Sequence, residues 1–326
     1  VTGLYVDERG NNCFAGLFGV AVASTNETVL KNIIIKDAEV YAGNKTDESE
    51  AHYGAGVLIG SISINGGSNA NYLAIENCKC YGKVDSKMYA GGLIGRSNYG
   101  KITNCVADVD VTGSSCSGGF AGCTWDSTIS NNQAAGSVMC EGYCGGGFVG
   151  YSSSSTFTNN KAAASVVDTG WSAGGFTGAD EGSTFVKCIA SGNVEAGDWN
   201  VGGFGGYLSG NTTITYSVAL GDVTGKLTLN KAKAGGFVGT NKNGNIKNCY
   251  AAGTVTGSNE YAAAGGFVGY DDSGTTEACY YDKTKNSALN AVGAIEKEGS
   301  NDIKGKESSE LLADVCENYY GGHEYE

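Results

Sequence analysis

Apolar and polar positions along this chain form neither helical stripes nor long strands; they make short runs that return at a nearly constant distance. Leu or Phe, any residue, then Gly, almost always opened by a further Gly, recurs nine times and closes on Gly19, Gly60, Gly95, Gly122, Gly150, Gly178, Gly206, Gly239 and Gly269. The spacings are 41, 35, 27, 28, 28, 28, 33 and 30 residues, so a unit of about 28 is kept while some units carry insertions. A fixed period of this length marks a repeat architecture in which each unit packs only on its neighbours.

Superposing the units on their closing Gly sorts the positions into columns. An apolar stripe reads Leu30, Ile75, Ile102, Ile129, Phe157, Phe185, Ile214, Ile246 and Thr276. Three residues further on, a slot of small side chains holds Ile33, Cys78, Cys105, Asn132, Asn160, Cys188, Ser217, Cys249 and Cys279. The residue just before that slot is Asn32, Asn77, Asn104, Asn131, Asn159 and Asn248, interrupted by Lys187, Tyr216 and Ala278. Asn tolerates left-handed backbone, so this column predicts a corner between two strands. The three-residue step across it agrees, because an unbroken strand would put the two flanking columns on opposite faces. After the corner the period becomes two, with Ala107, Ala134, Ala162, Ala190, Ala219 and Ala251 and then Val84, Val111, Val138, Val166, Val194, Val223 and Val255 on one face.

Short strands, sharp corners and stacked like residues predict an all-β fold, a β-solenoid (β-helix) of about nine coils with rungs about 4.8 Å apart. Residues 1–282 make the solenoid and 283–326 a short irregular cap or tail, with a short helix from Ser309 to Cys316. At the other end, either Val1 to Asn12 forms a short strand over the first coil or more protein once preceded it. The absence of proline suits strands paired on both sides, since proline cannot donate to a ladder. A leucine-rich repeat is set aside because its L-x-x-L-x-L-x-x-N frame is missing.

Charge narrows the partners. A formal net charge of -13, with Arg9 and Arg96 the only arginines, lacks the basic footprint that nucleic acid requires. No apolar run reaches the roughly 20 residues of a bilayer span. The first residues, VTGLYVDERG, lack the basic and apolar regions of a signal peptide.

Units such as Gly236-Phe237-Val238-Gly239, followed by Ile246-Lys247-Asn248-Cys249-Tyr250-Ala251-Ala252-Gly253-Thr254-Val255-Thr256-Gly257, resemble the GLUG repeat of bacterial surface and secreted proteins. The match runs over roughly residues 12 to 282. Cys279-Tyr280-Tyr281-Asp282 and Ser308-Ser309-Glu310-Leu311-Leu312 are similar to the endings of such arrays. The resemblance implies a solenoid and an extracellular or cell-surface habitat. GLUG arrays accompany some immunoglobulin A peptidases, but the repeat carries no catalytic residue there, and the zinc-protease H-E-x-x-H signature is absent here.

Candidate chemistry is sparse. His52 and His323 belong to no recurrent column, so neither a Cys-His nucleophile nor a metal site is expected, and no cofactor. Asp126, Asp180, Glu181, Asp271 and Asp272 follow closing glycines within four residues and could share a turn edge as an acid pair of a β-helix enzyme. They form no consistent column, and solvated turn residues or weak calcium ligands are the simpler assignment. The slot cysteines read as small buried packing. Cys116 and Cys144 stand three residues before the second Gly of their Gly-Gly pairs in adjacent coils, so stacking makes them a candidate disulfide, with Cys140 a rival partner for Cys144. One residue earlier, Tyr143, Trp171 and Trp199, flanked by Met88 and Ser115, line up as an aromatic ladder. It is either core or, facing water, a sugar-stacking platform. Sequons at Asn26, Asn44 and Asn211 are explained by chance in an Asn- and Thr-rich chain.

These features lead to the expectation of a non-enzymatic extracellular module, the stalk or binding rod of a surface protein, taking a glycan or a host or cell-wall protein on a side face. Two alternatives accompany it: a filament subunit that self-associates through its solenoid ends, and a polysaccharide-cleaving β-helix enzyme.

Overall fold

The computed structural model describes residues 1–11, 13–23, 28–43, 53–64, 72–197, 199–225, 232–257, 263–297, 299–311 and 313–314. Among them the chain winds into a parallel β-solenoid of three sheets: a broad sheet of 24 short strands, a nine-stranded sheet, most of whose strands end in Gly (the glycine sheet), and a ten-stranded rim sheet. One coil shows the path. Cys144–Gly146 lies in the glycine sheet and Val149–Ser153 in the rim sheet. Thr156–Thr158, Lys161–Ala162 and Ser165–Asp168 follow in the broad sheet, and Ser172–Gly174 opens the next coil. Nine rungs of the glycine sheet enclose eight full turns, in keeping with the expected coil number.

Like residues face one another from rung to rung, as in Ile102 on Ile129, Ala107 on Ala134 and Val111 on Val138. The apolar stripe, the Ala column and the Val column point inward and are buried, Leu30 in the first coil being partly so. Between them the Phe of the repeat forms a second axis. Phe120, Phe148, Phe176, Phe204, Phe237 and Phe267 stack with ring centroids 4.6 to 5.0 Å apart. Phe157 and Phe185 form a parallel stack that meets the first edge-on at 5.7 to 6.1 Å. Phe148, Phe157, Phe176, Phe185 and Phe204 thus combine stacking along the rod with edge contacts across it. The closing Gly is required where the rim backbone passes the glycine-sheet backbone. A Cβ on Gly178 would stand 2.7 Å from the Gly150 carbonyl oxygen and 2.8 Å from the Gly145 nitrogen.

The Asn column is a corner. Asn32, Asn77, Asn104, Asn131, Asn159, Lys187, Tyr216, Asn248 and Ala278 all have φ between 51° and 59°. A second left-handed corner, between the rim and broad sheets, falls at Tyr99, Asp126, Ser154, Gly182, Asn211, Asn243 and Ser273. At each corner an amide leaves the strand ladder and is met by a side chain from the next coil. The Cys105 N–H donates to Asn132 Oδ1 at 2.8 Å, the Asn132 N–H to Asn160 Oδ1 at 2.9 Å, and the Cys188 N–H to Ser217 Oγ at 3.1 Å. The same side chains donate to carbonyls, Asn160 Nδ2 to Ile129 O at 2.8 Å and Cys105 Sγ to Thr103 O at 3.2 Å. The slot therefore selects short side chains that both donate and accept, which is why Cys, Asn and Ser alternate there. The cysteines, expected as plain packing, are hydrogen-bonded corner residues. At the second corner Ser127, Ser155 and Ser183 play the same part, with the Ser127 N–H on Ser155 Oγ at 3.2 Å and the Ser155 N–H on Ser183 Oγ at 3.1 Å.

Both ends carry added strands. Tyr5–Glu8 pairs with Glu39–Ala42 on the first broad-sheet strand, the short strand that was one of two expectations for Val1 to Asn12. Val292–Lys297 and Ser300–Lys306, in the segment expected to be irregular, extend the rim and broad sheets by one more rung. Residues 308–311 are helical, and Leu311 buries itself against Val218, Tyr250 and Ala252 on the outside of the broad sheet. Cys316, the expected end of that helix, lies outside the described residues.

Two measurements check this packing. Asn160→Ala strands the buried Asn132 N–H and is expected to cost about 1–3 kcal/mol in a denaturant melt, whereas Asn160→Ser, which restores the chemistry Ser217 already supplies, costs under about 1 kcal/mol. Asp168 is buried beside Cys140 and accepts the Gly145 N–H at 2.8 Å and the Gly170 N–H at 2.5 Å. Burial outweighs those bonds and raises its pKa from 3.8 to about 6. The folded state therefore holds this proton more tightly than the unfolded chain does, and the resulting stability is full below pH 3.8 and lost as pH rises through about 6. Between those limits Asp168→Asn should flatten the decline in melting stability by on the order of 3 kcal/mol relative to the parent protein; superimposable pH profiles would refute the assignment.

Candidate functional site

Along the outside of the angle between the glycine and rim sheets, two columns of outward side chains face each other. The glycine-sheet column contributes Tyr89, Cys116, Cys144, Ser172, Asn200 and Lys233. The rim column, each member one residue after a closing Gly, runs Arg96, Cys123, Tyr151, Ala179, Tyr207, Thr240 and Tyr270. Trp125, two residues past Cys123 on the same rim strand, shares its outward face.

These columns make a groove. Cys116, Cys123, Cys144 and Ala179 form a buried floor, and Tyr89, Trp125, Tyr151, Trp171 and Tyr207 pack over it half-exposed. Ring contacts run Tyr89 to Trp125 at 6.0 Å, Trp125 to Tyr151 at 5.9 Å, Tyr143 to Trp171 at 5.6 Å and Trp171 to Tyr207 at 4.9 Å. Tyr143 is 60% exposed, so its ring is available to solvent. The expected ladder of Tyr143, Trp171 and Trp199 is therefore on the surface, where Tyr143 and Trp171 join a wider strip. Trp199 is half-exposed and its backbone carbonyl accepts the Lys233 N–H at 2.6 Å.

Sequence reasoning missed Tyr89, Arg96, Trp125, Tyr151, Tyr207 and Tyr270. The signal was present: the position after each closing Gly alternates large and small.

Cys116 and Cys144 are ladder partners, and the Cys123 thiol joins them. Hydrogen bonds from Cys123 and then Cys144 hold the Cys116 pKa below the usual thiol value, while burial pushes Cys123 up. Cys140 meets the other side of the glycine sheet, against the position of a Gly145 Cβ, and burial pushes its pKa up to about 12. All eleven described cysteines are free thiols.

The carboxylates considered for acid–base chemistry do not converge. Asp180 is buried as a corner cap, accepting Ser152 Oγ at 2.6 Å and the Ser183 N–H at 3.0 Å, and burial raises its pKa. Asp271 does the same for the Gly274 N–H at 3.1 Å and Asn301 Nδ2 at 3.0 Å. Glu181 is exposed and accepts the Tyr151 hydroxyl at 3.0 Å, and Asp126 occupies a left-handed corner. Among the described residues no group of three His, Cys, Asp or Glu side chains is placed to hold a metal ion. His52, His323, Asn26 and Asn44 lie outside the described residues, and Asn211 sits in a left-handed corner with φ 63°. No helix among the described residues is long and apolar enough to cross a membrane.

The GLUG motif family matches at residues 87–112 and 233–256. A crystal structure described as a "putative immunoglobulin A1 protease from Bacteroides ovatus" is similar over 92% of this chain and 87% of that one, with 18% identity and a TM-score of 0.46. No curated protein matches the sequence. The chain thus carries the GLUG motif at two places within a solenoid whose Asn corners and stacked Phe repeat from coil to coil.

Proposed function

We propose that this chain is a non-enzymatic extracellular binding rod, the stalk or adhesion module of a surface protein, and that it engages a glycan or a protein through the aromatic groove. The observation that carries this reading is the strip of rings from Tyr89 to Tyr207 over a floor of small side chains. Half-exposed Trp and Tyr faces at fixed spacing are costly to leave in water and suit flat sugar rings or apolar partner surfaces. Of the carboxylates that a polysaccharide-cleaving reading would need, Asp180 and Asp271 act as corner caps and Glu181 is held on the Tyr151 hydroxyl, which favours binding over cleavage.

Glycan arrays and pull-downs on host and cell-wall material test the proposal. Trp125→Ala and Trp171→Ala are each expected to weaken capture about tenfold while leaving the melting temperature within a few degrees, because both rings are half-exposed. Silence of the parent protein in both assays would leave only a spacer role.

The same habitat gives Cys116 and Cys144 a role as a staple between neighbouring coils. Treatment with glutathione disulfide is expected to join them, the two thiols giving up two hydrogens as glutathione disulfide is reduced to two glutathione thiols. Peptide mapping should find that link and leave Cys140 free; a Cys140–Cys144 link would refute the pairing.

A further inference from the structure

Resting on the binding-rod reading, we infer that the groove takes an extended oligosaccharide whose terminal ring carries a carboxylate, with Arg96 as the carboxylate's partner. The chain has two arginines. Arg9 is committed to Asp7 through Nε at 2.9 Å and through a second guanidinium nitrogen. Arg96 meets no carboxylate among the described residues. Its guanidinium carbon lies 5.0 Å from the Trp125 ring and 5.9 Å from the Tyr89 ring, and its Nε is buried without a hydrogen-bond partner. In a protein with 34 acidic residues, a cation held between two rings with a buried donor unmet is placed for an anion that arrives from outside. The planar fork binds a carboxylate bidentately while its faces stay on the rings.

The rest of the groove says what bears that carboxylate. Arg96, Tyr151, Tyr207 and Tyr270 occupy every second rung of the rim column, with Cys123, Ala179 and Thr240 between them. Two parallel rungs span about 9.6 Å, a spacing commensurate with the disaccharide repeat of an extended, equatorially linked glycan. The rings give faces for sugars to lie on, and Cys123, Ala179 and Thr240 are buried between them. A polyanion is disfavoured because Glu181 and Glu296 stand at the hydroxyls of Tyr151 and Tyr270. The ligand chemistry is thus one acidic pyranose at the Arg96 end and neutral sugars along the tyrosines.

Calorimetric titration of the full 326-residue chain tests this. The probes are a neutral β-linked tetrasaccharide ending in glucuronic acid, its sialic-acid-ended analogue, the carboxyl-reduced form of each, a polyuronate, and an acidic peptide. At least one acid-ended probe is expected to bind about tenfold or more tighter than its reduced form, and the stronger of the two identifies the acid. Arg96→Met should erase that preference, so that acid-ended and reduced forms bind within about twofold of each other, and raising salt from about 0.05 to about 0.5 M should weaken only the acid-ended probe. The salt series on the parent protein decides the matter even where the variant folds poorly. Equal binding of acid-ended and reduced forms overturns the inference but keeps the groove as a neutral glycan site. Tighter binding of the polyuronate overturns the single-acid assignment, tighter binding of the acidic peptide overturns the sugar assignment, and absence of binding by every oligosaccharide removes the glycan reading of the groove as well.

Discussion

Every coil of this rod has to turn the backbone out of a ladder and back into it, and at each turn an amide loses its partner. A buried N–H without an acceptor costs about as much as a core methylene or more, so the turn must be closed by something other than backbone. Here the closing group comes from the coil ahead: Asn132 for Cys105, Asn160 for Asn132, Ser217 for Cys188. This constraint fixes the residue types of the slot, the left-handed residue before it, and the period itself. A coil that slipped forward by one residue would put Val106, Ile189 or Val218 where a donor and acceptor are needed. Register is therefore enforced by polar groups at the corners, while the Phe stack supplies the apolar burial between them.

Much of this could be read from the residues. The Asn column announced its left-handed corner because Asn is the side chain that tolerates that backbone. Where Lys187, Tyr216 and Ala278 replace it, φ is unchanged, so neighbouring coils impose the conformation on residues with no local preference for it. The second corner was opaque for the same reason: Tyr99, Asp126, Ser154 and Asn211 share a backbone angle but no chemistry, and a column of unlike side chains carries no signal. The buried slot was visible as a pattern, but its hydrogen bonds were not, because sulfur in a column of Cys reads as an apolar atom until the amide facing it is located.

The groove was half legible. Tyr143 and Trp171 stood out as large rings in one column, yet whether they faced water depended on the path of the turn before Gly-Gly, which sequence does not determine. Cys116 and Cys144 could be paired by register alone. Cys123 could not, since its approach depends on how closely the glycine sheet and the rim sheet meet, and that distance is set by backbone contacts such as Gly178 on Gly150. Asp180 and Asp271 looked like turn carboxylates by position, and only the inward direction of alternate rim residues turns them into caps.

The two walls of the groove differ in their freedom to change. The rim wall is pinned from both sides, by glycines behind it and by a corner after it, so its side chains keep a rigid ruling along the rod. The opposite wall follows the connection from the broad sheet to the glycine sheet, which admits extra residues between Ala42 and Gly54, Gly225 and Lys233, and Gly257 and Ala263. After the rim, extra residues enter in the first two coils, between Ala23 and Val29 and between Ile64 and Leu73. From Arg96 onward the chain can thus vary one bank of the channel in length and composition while the graduated bank stays constant.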